Sequence, residues 1–98
     1  MSEKITKDTC IAHRTLAVAG SPETLVDVFI AQPEKVHEEE WICRYRIVGA
    51  GEDMNFQVHG IDAVQALKHV FVMIDASLVS TGLSLTWLGE KDLGFLSA

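Results

Sequence analysis

Ninety-eight residues, 48% hydrophobic and 22% charged, fit one small globular domain with one core and exclude a disordered or fibrous chain. Eight lysines and arginines against fourteen acids give a formal net charge of −6. That charge disfavours non-specific contact with phosphate backbones, so nucleic acid is not an expected partner. Two cysteines are too few for a disulfide scaffold, and the start M-S-E-K-I-T-K-D-T has no apolar core of a leader. No uninterrupted apolar run approaches the ~18 residues of a membrane span. A cytoplasmic protein with reduced thiols, away from the membrane, is the expectation.

Residues 1–10 are polar and read as a flexible N-terminus, with a single α+β domain over 11–98. Ile11 to Val18 has the β-branched and apolar content of a strand, Gly20-Ser21-Pro22 reads as a turn, and Thr24 to Ile30 reads as a second strand. The two form an antiparallel hairpin. Gln32 to Glu40 is a charged surface loop introduced by proline. Trp41 to Val48 then alternates: Trp41, Cys43, Tyr45 and Ile47 share the core face, and Ile42, Arg44, Arg46 and Val48 share the other. After a turn at 49–53, Met54 to Val58 returns as a fourth strand.

A helix follows. Asp62 suits its N-cap and Gly82 the C′ position, where positive φ is needed. Val64, Leu67, Phe71, Ile74 and Leu78 recur at steps of three and four and predict the buried stripe. On that reading Leu78→Asp and Phe71→Ala are among the most damaging changes, the latter costing ~3–5 kcal/mol. Leu83 to Leu88 reads as a short fifth strand, and Phe95 and Leu96 sit on a glycine-hinged tail. The predicted fold is α+β, an antiparallel sheet of four to five strands with one long helix packed across one face.

Catalytic chemistry is not spelled out by any motif. His13, His37, His59 and His69 lack metal-ligand spacing, so neither metal nor cofactor is expected. Cys43 reads as a small buried hydrophobe, since Arg44 and Arg46 point the other way. Glu38-Glu39-Glu40 lacks the alternating ligands and turn glycine of a calcium loop and reads as a solvated run. The surface of interest is the sheet face opposite the helix, where parity places Arg44, Arg46 and Gln57 with Asp27, and His13 and Thr15 if Leu16 and Val18 face inward. Arg44, Arg46 and Gln57 are the candidate binding residues there. Arg14 shares parity with Leu16 and Val18, which requires either a bulge or a place beyond the core's edge.

Four ordered strings also resemble a known family: I-A-H-R-T-L near the start, W-I-C-R-Y-R-I-V-G in the middle, G-I-D-A-V-Q-A-L at the helix, and L-T-W-L-G-E-K-D-L-G-F at the end. Together they span residues 11 to 95 and resemble a family of small bacterial proteins known only as a domain of unknown function. One departure is that Leu96 follows Phe95 where the resemblance leads one to expect proline. The resemblance implies a compact bacterial cytoplasmic domain and supplies no catalytic residue.

Three function classes follow. The first is a non-catalytic interaction or accessory protein, a homodimer or the ligand of a protein partner, because Val72, Met73 and Val79 lie off the helical stripe and a short sheet has free edges. An antitoxin-like or immunity-like protein is a variant of this class at the level of fold analogy. The second is a small-ligand-binding domain using a cleft between the helix, Trp87 and the tail. An enzyme comes last.

Overall fold

The structure, a computed structural model, describes residues 4–95; Leu96 of the expected tail lies outside them. Strands β1 (Ala12–Val18) and β2 (Ser21–Ile30) form the predicted antiparallel hairpin. The turn closes earlier than Gly20-Ser21-Pro22 suggests, and Pro22 falls within β2. It sits in a register shift where Ala17 faces Leu25 but Val18 faces Ser21, so the residue without an N–H occupies a bulge that needs none.

Strand β3 (Glu34–His37) is followed by β4 (Glu40–Gly49), β5 (Glu52–Gly60), helix α1 (Ala63–Ser80) and the two-residue β6 (Leu85–Thr86). All pairings are antiparallel, and β4 is the spine. Strand β5 runs unbroken along one side of it, from Trp41↔Gly60 to Gly49↔Glu52. On the other side β2 pairs with the second half of β4 and β3 with the first half. Laterally the sheet reads β5, β4, β2 with β3, β1, β6.

The sheet therefore has six strands, not four to five. The extra one, β3, lies inside the segment read as a charged loop. All four of its residues are exposed, so it has no buried face to print an alternation on the sequence, and its pairing rests chiefly on the main chain.

One face of the sheet carries the main core: Leu16, Val26, Val28, Ile30, Cys43, Tyr45, Ile47 and Val58, roofed by α1 and joined by Leu85. The predicted inner parity of Cys43, Tyr45 and Ile47 holds. The helical stripe holds only in part, at Ile74 and Leu78 with Leu67 packed beside them. The buried residues of α1 are Ala66, Val70, Ile74 and Leu78, while Val64 is 73% exposed and Phe71 38% exposed. The physical reason is close approach. A Cβ placed on Gly60 would lie 2.5 Å from the Ala66 nitrogen, so the helix docks where both partners are smallest, and the larger Val64 and Phe71 turn to the rim. Their regular spacing equals that of the true stripe, and apolar periodicity alone ranks bulk above smallness.

Helix ends follow the expected chemistry. Asp62 is the N-cap, its Oδ1 accepting from Gln65 N–H at 2.8 Å, while Gln65 Oε1 accepts from Ile61 N–H at 2.8 Å. This is a near relative of the capping box. Gly82 follows the C-cap Thr81 with φ of 73°. By length and composition α1 could cross a bilayer, yet its apolar stripe packs on the sheet, as a core helix's does.

The opposite face is partly covered as well. Ile5, only 5% exposed, packs with Phe29 and Ala31, and Cys10 and Val48 border the cluster. Residues around it turn through Thr6 O, which accepts from the N–H groups of Thr9 and Cys10. A single isoleucine in a polar stretch has no periodicity, so nothing in the sequence of 1–10 signals this contact.

Candidate functional site

The outer sheet face brings together every residue that parity placed there. Asp27 lies opposite Thr15 on one side and Val48 on the other, Phe29 lies opposite His13 and Arg46, and Gln57 lies opposite Arg44. The strand register thus unites the predicted Arg44, Arg46 and Gln57 on one surface, but their circumstances differ.

Arg46 is committed to the fold. Its Nε and Nη2 donate to Asp53 Oδ1 and Oδ2 at 3.0 and 3.1 Å, and Nη1 donates to the Ile5 carbonyl at 3.0 Å. Lys4 Nζ at 2.9 Å and Asn55 Nδ2 at 3.0 Å also donate to Asp53. These hydrogen bonds, Arg46 first and Lys4 second, hold the Asp53 carboxyl well below the usual carboxylate range, and Asp53 in turn raises Arg46. Arg44 is looser, with Nη2 at 3.5 Å from Glu34 Oε1. Gln57 is exposed beside it on β5. A groove of about 300 Å³ runs between Lys4, Ile5, Arg44, Asn55, Phe56 and Gln57.

Asn55, Phe56 and Gln57 are consecutive in β5, and all three line that groove because β5 is the sheet's edge. The Arg44 carbonyl accepts from Ala31 N–H at 2.9 Å, on the side of β4 away from β5. Residues directly opposite each other in an antiparallel pair turn their main-chain groups together or apart. Gln57, opposite Arg44, therefore turns its N–H and C=O away from β4, and alternation extends this to Asp53, Asn55 and His59. The last bears this out, since its carbonyl meets His69 Nδ1 at 2.7 Å. That contact requires Nδ1 to carry the proton. Beside the open edge, on the core side, Phe56 remains 52% exposed, tilted against Tyr45 at 5.8 Å between ring centroids.

A second polar group sits at the far side of this face. His13 Nε2 lies 2.8 Å from Asp27 Oδ1, Thr15 Oγ1 donates to the same oxygen at 2.9 Å, and Thr15 Oγ1 is 3.3 Å from the same His13 nitrogen. His13 also stacks on Phe29 with centroids 4.6 Å apart. The three residue types suggest a nucleophile–base–acid set, but the geometry does not make one. A working triad uses both imidazole nitrogens, one toward the nucleophile and one toward the acid. Here one nitrogen meets both, and the hydroxyl gives its hydrogen bond to the carboxylate. Cys43 is no nucleophile either: burial pushes its thiol up to about 11, and Sγ lies 3.3 Å from the Ala31 carbonyl. Among the described residues, no three His, Cys, Asp or Glu gather as a metal-binding group.

The other notable surfaces adjoin α1. Val72, Met73 and Val79 are exposed, as their position off the stripe implies. Two cavities lie between α1 and the C-terminal segment, one of about 320 Å³ beside Asp75, Val79, Leu83 and Lys91, the other of about 280 Å³ beside Arg14, Phe71 and Phe95. Arg14 resolves its parity conflict by lying on the inner face at the core's margin. There its guanidinium stacks over Trp87, with Cζ 3.7 Å from the ring centroid, and Nη1 donates to the Leu93 carbonyl at 2.9 Å.

The fold and its surfaces define a small α+β protein, an open antiparallel sheet with one helix on one face and β5 along an open edge. The chain belongs to the family described as Domain of unknown function (DUF6968), whose model matches residues 12–97. Compared with curated proteins and with solved structures, it finds no match.

Proposed function

We propose that this is a non-catalytic cytoplasmic interaction protein that associates through the open edge of β5, with a second copy of itself as the occupant. The observation that carries the reading is the outward orientation of the main-chain groups of Asp53, Asn55 and Gln57 beside an exposed Phe56. Strand addition supplies partners for such groups, and alternate side chains supply selectivity.

The edge is self-complementary in one register. A two-fold axis at Asn55 sets Asn55 against Asn55 and Asp53 against Gln57 of the second copy. It also sets Phe56 against Met54 of the second copy on the core side. No like charges then face each other directly, which favours the pairing. An axis at Gln57 would bring a strand against His59, whose carbonyl is already bonded to His69. Among the candidate residues, Gln57 pairs directly, Arg44 flanks the groove, and Arg46 positions Asp53. A strand from another protein could use the same edge, with Arg44 and Lys4 favouring an acidic segment.

Light scattering over rising concentration, up to about 100 µM as suits an interface smaller than the standard size, tests the proposal. A dimer should form, and Asn55→Pro should abolish it without unfolding, because the lost N–H points away from β4. A wild-type protein that stays monomeric throughout, or an Asn55→Pro variant that folds and still dimerises, overturns it.

A further inference from the structure

Arg14 stands apart from the other arginines. Arg44 and Arg46 each face a carboxylate, whereas among the described residues none pairs with Arg14. Yet Arg14 is half-buried, held between aromatic rings 3.7 and 5.1 Å from its guanidinium carbon. One of its five N–H donors goes to the Leu93 carbonyl at 2.9 Å. The chain is built to bring the tail onto it: a Cβ on Gly94 would lie 2.9 Å from Arg14 Nη1 and 2.8 Å from Trp87, and Gly94 has φ of 76°. The same guanidinium borders the cavity of about 280 Å³, whose other walls include the apolar Val28, Ile30, Phe71 and Phe95 together with His13. A half-buried cation with no counter-charge among the described residues, at the rim of a largely apolar cavity, is the arrangement that recognises an anion carried on an apolar body.

We propose that this cavity binds a small carboxylic acid with an aromatic or short aliphatic body, the carboxylate on Arg14 and the body between Phe71 and Phe95. The guanidinium fork matches a planar carboxylate. His13, the other basic residue among the lining, already meets Asp27 at 2.8 Å, so a phosphate dianion is poorly matched. An apolar cavity of about 150 Å³ holds a benzene ring, so the space here suffices for a ring, a short linker and the carboxylate. This site lies along β1, at the far lateral end of the sheet from β5 and its groove, and does not depend on the edge association.

Nitrogen-15 NMR titration of the full chain with 3-phenylpropionate and octanoate, each beside its neutral amide, tests the proposal. Saturable shifts are expected at the Trp87 indole and Gly94 amide but not at the Trp41 indole. The acids should bind at least about tenfold more tightly than the amides, the equivalent of one charge-assisted hydrogen bond. Arg14→Gln should erase that preference and Arg14→Lys keep part of it. Because Arg14 also holds the tail, the acid–amide comparison on the unaltered chain is decisive. No saturable shift with either acid, or equal affinity for acid and amide, overturns the site.

Discussion

Asp53 ties the N-terminal segment to the sheet through Arg46 and Lys4, and that makes acid sensitivity local. Its folded pKa is depressed by those partners, so the stabilisation is complete above the unfolded value of about 3.9 and is lost as pH falls below it. Asp53→Asn should therefore be less stable than wild type at neutral pH, and the gap should close in urea titrations repeated toward pH 2. A gap that does not change with pH would separate Asp53 from the acid response. The two thiols should also differ. Cys43 is buried with its thiol raised to about 11, so alkylation at pH 8 should modify Cys10 first and Cys43 only on unfolding, as mass spectrometry would show. In the core, Ile74 is fully buried and Phe71 is 38% exposed. Ile74→Ala should cost ~2–5 kcal/mol, and Phe71→Ala clearly less. Equal losses in chemical denaturation would restore the stripe expected from periodicity.

At the level of elements, the hairpin, β4, β5 and α1 were legible because each carries a local signal. Alternation in Trp41–Val48 gave both faces of β4 correctly, including the outer position of Arg44 and Arg46. The caps at Asp62 and Gly82 bounded α1. What stayed illegible were features set by contact between elements. Strand β3 has no buried side chain, Ile5 finds its place only against Phe29, and the docking face of α1 is chosen by Gly60 meeting Ala66. The candidate site follows the same division. Parity placed Arg44, Arg46 and Gln57 on one face, but the locking of Arg46 by Asp53 depends on strand register, which pairs Val48 with Asp53 and Arg46 with Asn55. The Gly60 contact is itself testable. Gly60→Ala should be destabilising despite alanine's ordinary strand geometry, because its Cβ would lie 2.5 Å from main chain that cannot yield as a flexible side chain does. Thermal melting would register the loss, and a melting temperature equal to wild type would mean that α1 can stand farther from β5.

As a whole molecule, the protein covers its sheet unevenly. One face lies under α1, part of the other lies under Lys4–Cys10, and beside β1 stand β6 and the Leu93–Phe95 segment. The β5 edge is left with its main-chain groups turned outward, and that asymmetry gives the association a signature readable residue by residue. Met54, Phe56 and Val58 pair toward β4, so their amides should exchange slowly at any concentration. The amides of Asp53, Asn55 and Gln57 point away and should exchange rapidly in dilute protein. Association through this edge buries the second set without altering the first. Hydrogen exchange across a concentration series should then show alternate amides of one strand gaining protection together, with Asn55 at the centre. If the exposed Val72 and Val79 face of α1 mediated self-association instead, mass would double while the alternation along β5 persisted at high concentration. The pattern thus distinguishes the edge from the helix even where light scattering reports the same dimer.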